Sequence, residues 1–191
     1  METFSVSRTV LREALRTLTS KGLVESRPKV GTRVRPRHAW NLLDVDLLDW
    51  YSQVTPPLAF ALKLQEMREM VEPYAAALAA RAHTDETLRA LTDAHAALVA
   101  ARSEDEWVRA DLRFHLGILA ACSNELLMPL GPVIERTLEA QLRVNAKRAD
   151  VFNVALGEHT AVFEAIRTRD MHAARGAMDA LLDMTRRRIE A

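Results

Sequence analysis

From Pro57 to the C-terminus the chain has no stretch in which apolar and polar residues alternate. Apolar residues there recur instead every three or four positions, in segments rich in Ala, Leu, Arg and Glu, which is the period of a helix and not of a strand. Glycine is scarce across the same length. These features predict helices near 58–82, 85–101, 104–122, 125–149, 154–168 and 171–189. Start signals mark several of them: Ser103 with Glu106 forms a capping-box pattern, and Thr84, Asn124 and Asp170 suit N-cap positions. Pro73 should bend the first of these helices, while Pro129 and Pro132 should delay or kink the fourth. Six helices joined by short loops imply an antiparallel bundle. Val54-Thr55-Pro56-Pro57 separates it from what comes before.

The head of the chain follows a different pattern. Ser7 stands where an N-cap should be, and Leu11, Ala14, Leu15 and Leu18 form one apolar stripe that Gly22 ends. Arg8, Arg12 and Arg16 are expected on the opposite face, with Thr9 at its N-terminal end. Guanidinium forks suit phosphates and guanine edges, and a helix fits the major groove of B-form DNA. Beyond Gly22, residues 23–26 and 32–35 are short β-compatible runs around a Pro- and Gly-containing turn. Arg27, Lys29, Arg33 and Arg35 make that hairpin basic. A basic helix followed directly by a basic hairpin is the arrangement of a winged helix-turn-helix, in which the helix enters the groove and the wing holds flanking phosphate.

The formal net charge of zero conceals an asymmetry. Residues 1–38 hold nine Lys and Arg against three Glu, and the remainder holds 17 against 23 acids. A basic head on an acidic body fits a nucleic-acid-binding module joined to something that does not bind nucleic acid. The single cysteine, Cys122, excludes an intramolecular disulfide framework and agrees with a reducing cytoplasm; within an apolar helical run it reads as a core thiol. With no leader pattern and no long uninterrupted apolar window, the chain is expected to be cytoplasmic and without a membrane partner. Residues 40–51, WNLLDVDLLDWY, place Trp40, Leu43, Leu47 and Trp50 at helical spacing and are expected to form a helical linker.

The run FSVSRTVLREALRTLTSKGLVESRPKVGTRV resembles the DNA-binding domain of GntR-type bacterial regulators. That resemblance implies that Arg8, Thr9 and Arg12, with Ser7 and Arg16 beside them, contact operator bases and phosphates. It makes residues 29–32, with Lys29, Gly31 and Thr32, the wing tip. Family members carry a first helix and most of a second upstream of this run. The head is therefore expected to be a partial winged helix-turn-helix that binds DNA less well than an extended one. The helix order and the fragment LQEMREMVEPYAA resemble the effector-binding domain of the FadR branch, and the phrase WNLLDVDLLDW resembles the junction in galactonate-responsive members. The expected architecture is mostly α. It comprises a DNA-binding piece at 1–37, a helical linker at 38–55, and a helical effector-binding and dimerisation domain at 56–191.

Asp111 and His115, four residues apart, point the same way from one helix and are good ligands for a first-row metal. Metal-binding members of the branch add a histidine in an E-H pair near the start of the penultimate helix, matched here by Glu158-His159. They add a second 22 residues later, where this chain has Leu181. The resemblance thus implies a three-ligand site for a divalent ion, zinc or similar, formed by Asp111, His115 and His159. Alternatively the histidines hydrogen-bond within a polar cavity. Arg68, flanked by Met67, Met70 and Val71, should run along the core and needs an anionic partner. That partner is Glu72 on the next turn or, as the resemblance implies, the carboxylate of an effector. His95 reads as a core or boundary residue, and His38, His83 and His172 as solvated. The resulting expectation is a ligand-responsive repressor that binds operator DNA as a homodimer and answers to a small carboxylate, galactonate among the candidates. Two alternatives stand beside it: a carboxylate-binding module deficient in DNA binding, and a metal-dependent hydrolase or isomerase. No general base or activated nucleophile accompanies the trio to support the last.

Overall fold

The computed structural model of the chain describes residues 6–27, 29–145 and 155–191. They form two compact units, Met1–Tyr51 and Ser52–Ala191.

In the first unit, helix α1 (Arg8–Ser20) starts where Ser7 Oγ accepts the Val10 N–H at 3.3 Å. It ends in a paired closure: the Gly22 N–H reaches Thr19 O at 3.0 Å and the Leu23 N–H reaches Leu18 O at 2.9 Å. Gly22 has φ +75°, and a Cβ there would lie 2.9 Å from the Ala39 carbonyl oxygen, so both conformation and space require glycine. Strands β1 (Val24–Arg27) and β2 (Gly31–Val34) pair antiparallel, with Val24 opposite Val34 and Ser26 opposite Thr32. Each lies one residue from its expected place; the Leu23 N–H is taken by the helix end and cannot open the ladder.

Helix α2 (Val45–Val54) begins five residues later than the spacing from Trp40 predicts. Trp40 Nε1 donates to Arg35 O at 2.9 Å and the Asn41 N–H to Lys21 O at 3.2 Å, which holds this stretch against the head in non-helical form. Asp44 then caps α2, its Oδ1 accepting the N–H groups of Asp46 and Leu47 at 3.1 and 3.2 Å. Lys21 pairs with both Asp44 and Asp46 at 2.6 Å. Consequently Leu47 and Leu48 are the buried residues of α2, whereas Leu43 and Trp50 are exposed.

The second unit holds α3 (Pro57–Ala82), α4 (Asp85–Ala100), α5 (Glu104–Ala121), α6 (Gly131–Asn145), α7 (Leu156–Arg167) and α8 (Met171–Glu190). Thr84, Ser103 and Asp170 cap α4, α5 and α8 through their side chains. Asn124 caps a 3-10 segment, Glu125–Leu130, that replaces the first turns of the predicted fourth helix. An α-helix running from 125 would need N–H groups at Pro129 and Pro132. With α6 starting at Gly131, Pro132 falls in the first turn, where no N–H is required. Positions 146–149 of that predicted helix, and 154 of the next, lie outside the described residues.

Helix α3 packs against α5, α6, α7 and α8 and continues through Pro73. Its alanines Ala75, Ala76, Ala79 and Ala80 admit close neighbours to a core that includes Leu91, Phe114, Ile118, Ile166, Met178 and Leu181. His83 is buried, contrary to the expected solvated role: it ends α3, where the Arg169 guanidinium donates to Arg81 O and His83 O, each at 3.1 Å. Cys122 is buried with Sγ 2.9 Å from Leu119 O, and burial pushes its thiol pKa up. Among the described residues no helix is long and apolar enough to cross a membrane.

Candidate functional site

On the head, Ser7, Arg8, Thr9, Arg12 and Arg16 are exposed along α1, and Lys29, Gly31 and Thr32 are exposed at the hairpin. Lys29 (φ +64°) and Gly31 (φ +92°) make the tight turn that presents this tip. Three of these side chains already have partners: Ser7 Oγ accepts the Val10 N–H at 3.3 Å, Arg16 donates to Glu13 at 2.8 Å, and the Thr32 hydroxyl shares a 2.9 Å hydrogen bond with Ser26. The arginine row adjoins the leucine stripe rather than opposing it. At about 100° per residue, neighbouring arginines and leucines are roughly 60–100° apart around the helix. Arg8, Leu11, Arg12, Leu15 and Arg16 accordingly line one open hollow of about 640 Å³.

Within the bundle, α3, α5 and α7 bring together Arg68, Glu72, Asp111, His115 and His159, all buried. Arg68 Nε donates to Glu72 Oε1 at 2.5 Å and Nη2 to Oε2 at 3.3 Å, so the partner expected of a structural arginine is present. Arg68 Nη2 also lies 3.1 Å from His115 Nε2. On the other side of that ring, Nδ1 sits 2.5 Å from Glu72 Oε2, a charge contact lying off the N–H direction. Asp111 Oδ1 is 2.6 Å from His159 Nε2 and 3.5 Å from His115 Nε2. His159 Nδ1 lies 2.6 Å from Ala155 O, to which it donates.

The charges of this array sustain one another. Burial by itself would raise the Glu72 pKa, but Arg68 and His115 hold it down at about 2. Burial opposes ionisation of Asp111 too, and His115 and His159 outweigh it, keeping the carboxyl well below its usual range. For Arg68 and His115 burial disfavours the charged form, yet the adjacent carboxylates, Glu72 foremost, move both upward.

Donor atoms of Asp111, His115 and His159 all lie within 4.8 Å of one another, and this set could hold a metal ion. His159 turns Nδ1 to the Ala155 carbonyl, and both imidazoles bring Nε2 near Asp111, at 2.6 Å for His159 and 3.5 Å for His115. A second partner of this kind sets the tautomer that a metal-binding histidine needs. One carboxylate and two imidazoles are a donor set suited to zinc and its neighbours. Leu181 is 1% exposed within the apolar core and offers no fourth donor.

Glu72 within the array, and Gln65 one turn before Arg68 on α3, go beyond what the sequence predicts. Glu72 is expected only as a partner for Arg68, yet it also meets His115. Gln65, fully buried, donates to Leu182 O at 2.9 Å and to Glu69 at 3.1 Å. The available signal is polar: positions 65, 68 and 72 follow helical spacing and mark a polar stripe on the buried face of α3. Met70, expected to flank the core, is 73% exposed. Beside Arg68 and Glu72 is a cleft of about 10 Å³ walled by Met67, Val71, Leu130, Val133 and Ile134, space for about one water molecule.

Residues 63–184 match the FCD domain family, and residues 1–34 match the family described as bacterial regulatory proteins, gntR family. The chain is 32% identical over 192 residues to the galactonate operon transcriptional repressor of Escherichia coli K12, covering 99% of this chain and 83% of that protein. It is 32% identical over 184 residues to a putative L-lactate dehydrogenase operon regulatory protein of the same organism, covering 93% and 70%. Among solved structures, that of Streptococcus agalactiae GntR aligns over 97% of this chain and 84% of that one, with a TM-score of 0.61 at 24% identity, a likeness of fold.

Proposed function

The chain belongs to the gntR family of bacterial regulatory proteins and carries an FCD domain, and from that premise we propose a carboxylate-responsive repressor acting as a homodimer on a sugar-acid or related catabolic operon. Family membership makes it a DNA-binding transcriptional regulator and not an enzyme, which removes the hydrolase and isomerase alternative. On this reading residues 1–37 engage operator DNA through Ser7, Arg8, Thr9, Arg12, Arg16, Lys29, Gly31 and Thr32. Residues 38–55 join this piece to an effector-binding and dimerisation domain at 56–191. A dimer matches the two-fold symmetry of a palindromic operator.

The observation that carries the effector reading is the buried array around Arg68. A guanidinium inside a bundle, paired with Glu72 and in contact with His115, suits the carboxylate of a small anion that takes the place of a side-chain partner. Asp111, His115 and His159 would hold a divalent ion there, and that ion would supply a positive centre for an effector oxygen. Galactonate is the leading candidate, supported by the junction phrase and by the name of the E. coli relative. The described cleft is far smaller than such a molecule, so binding requires the helices around Arg68 to rearrange. A rearrangement favoured by one ligand is what couples a bundle to the heads it carries.

The test is an operator mobility-shift titration with galactonate, lactate and a dicarboxylate, each with and without EDTA. Release of DNA by one acid, lost with EDTA, is the expected result. DNA binding indifferent to every acid would refute the effector reading, and binding to no operator fragment would favour a carboxylate-binding module that does not act on DNA.

A further inference from the structure

We propose that, in the metal-free chain, Arg68 is an intramolecular competitor for the metal centre, its guanidinium filling the His115 lone pair that a divalent ion needs. The inference rests on the metal reading of Asp111, His115 and His159 given above. Arg68 Nη2 lies 3.1 Å from His115 Nε2. Arginine nitrogens only donate, so this contact uses the Nε2 lone pair of the neutral imidazole and leaves the ring proton on Nδ1, the nitrogen 2.5 Å from Glu72 Oε2. Asp111 Oδ1 lies 3.5 Å from the same nitrogen, so an ion held between His115 and Asp111 would need that lone pair. A metal ion and Arg68 Nη2 therefore cannot both use it.

The substitution is also electrostatic. Asp111 is buried between two histidines, 3.5 and 2.6 Å from their Nε2 atoms, and a buried carboxylate needs cationic partners. Arg68, itself buried and 3.1 Å from the His115 nitrogen that adjoins Asp111, supplies part of the balance an ion would otherwise give. When an ion takes the His115 lone pair, Nη2 is released while Nε keeps Glu72. The guanidinium then has an N–H free for an incoming carboxylate. Metal loading and readiness for the effector thus become one event, with Arg68 changing partner between them.

The experiment measures zinc affinity of the full chain by competition with a chromophoric chelator, comparing the parent with Arg68→Met/Glu72→Gln. The double variant removes one positive and one negative charge, leaving the local net charge unchanged, and the amide introduced by Glu72→Gln keeps an oxygen beside His115 Nδ1. Losing a charge-assisted contact at the metal-binding nitrogen should tighten zinc binding by about tenfold or more. Affinities that agree within about threefold, in a chain whose zinc binding is abolished by His115→Ala, would overturn the competitor and leave the metal centre standing. Zinc bound by neither protein would overturn both. Should the double variant fail to fold, the side-chain ¹⁵N resonances of Arg68 in the parent decide: a shift of Nη2 on zinc addition supports the exchange, and no shift overturns it.

Discussion

Removing the Arg68 guanidinium alone should be among the most damaging single changes in the bundle. Arg68 and Glu72 are each about 2–3% exposed and joined at 2.5 and 3.3 Å. Arg68→Met would leave the Glu72 carboxylate buried with only His115 near it. Breaking a buried pair from one side costs about 3–5 kcal/mol. A second route gives a similar size: Glu72 is held at about 2 against an ordinary 4.5, and at ~1.4 kcal/mol per pKa unit that is about 3 kcal/mol favouring the ionised form in the fold. The sign follows from the depressed value. Stability from ionised Glu72 is fully present above pH 4.5 and is lost as pH falls toward 2. Urea unfolding followed by far-UV circular dichroism, in EDTA, should therefore show Arg68→Met about 3–4 kcal/mol less stable than the parent at pH 7. The two proteins should converge as pH drops through that window. Arg68→Met/Glu72→Gln should regain most of the loss, because no buried charge is stranded. A cost under about 1 kcal/mol at pH 7, or a gap that does not change with pH, would refute the burial of this pair as a folding constraint.

Three other outcomes are expected. Arg12→Ala should weaken operator binding by about 1–3 kcal/mol with the bundle still folded; an unchanged mobility shift would show that α1 meets DNA by another face. Gly22→Ala should destabilise the head by roughly 1–2 kcal/mol through its positive φ and the Ala39 carbonyl, read as lost amide-exchange protection in α1 and β1, and full protection would contradict the glycine closure of α1. Leu181→His should retain zinc through a dialysis that strips the parent, and equal loss from both proteins would mean that position 181 does not reach the trio.

Much of the fold is legible in the sequence because local chemistry decides it. Ser7, Thr84, Ser103, Asn124 and Asp170 cap where their side chains allow, and Gly22 ends α1 because no other residue fits there. Structure and expectation part where distant groups decide. The spacing of Trp40 and Leu43 is helical, yet Trp40 and Asn41 spend their N–H groups on the head, and Asp44 becomes the cap. Residues 125–130 carry helix-forming side chains, but two prolines lack the N–H groups that an early start requires. At the site, Asp111 and His115 are recognisable from their i, i+4 spacing, whereas His159 comes only from family likeness, because nothing local ties α7 to α5. Gln65 and the second role of Glu72 escape sequence reading for the same reason. A polar stripe on a buried helix face shows its purpose only once its neighbours are known.

Trp107 stands edge-on to His159, ring centres 5.6 Å apart and planes at 88°, and it is 7% exposed. The indole therefore reports from inside the candidate centre without any added label. Its emission depends on what the neighbouring imidazole carries, while solvent, the usual source of background, is excluded. Trp40 and Trp50 belong to the first unit, so Trp40→Phe/Trp50→Phe would leave Trp107 as the sole tryptophan of the chain. In that background the arrival of an ion at His159 becomes an optical signal on the time scale of mixing, and the order of metal, effector and DNA release can be timed within one molecule.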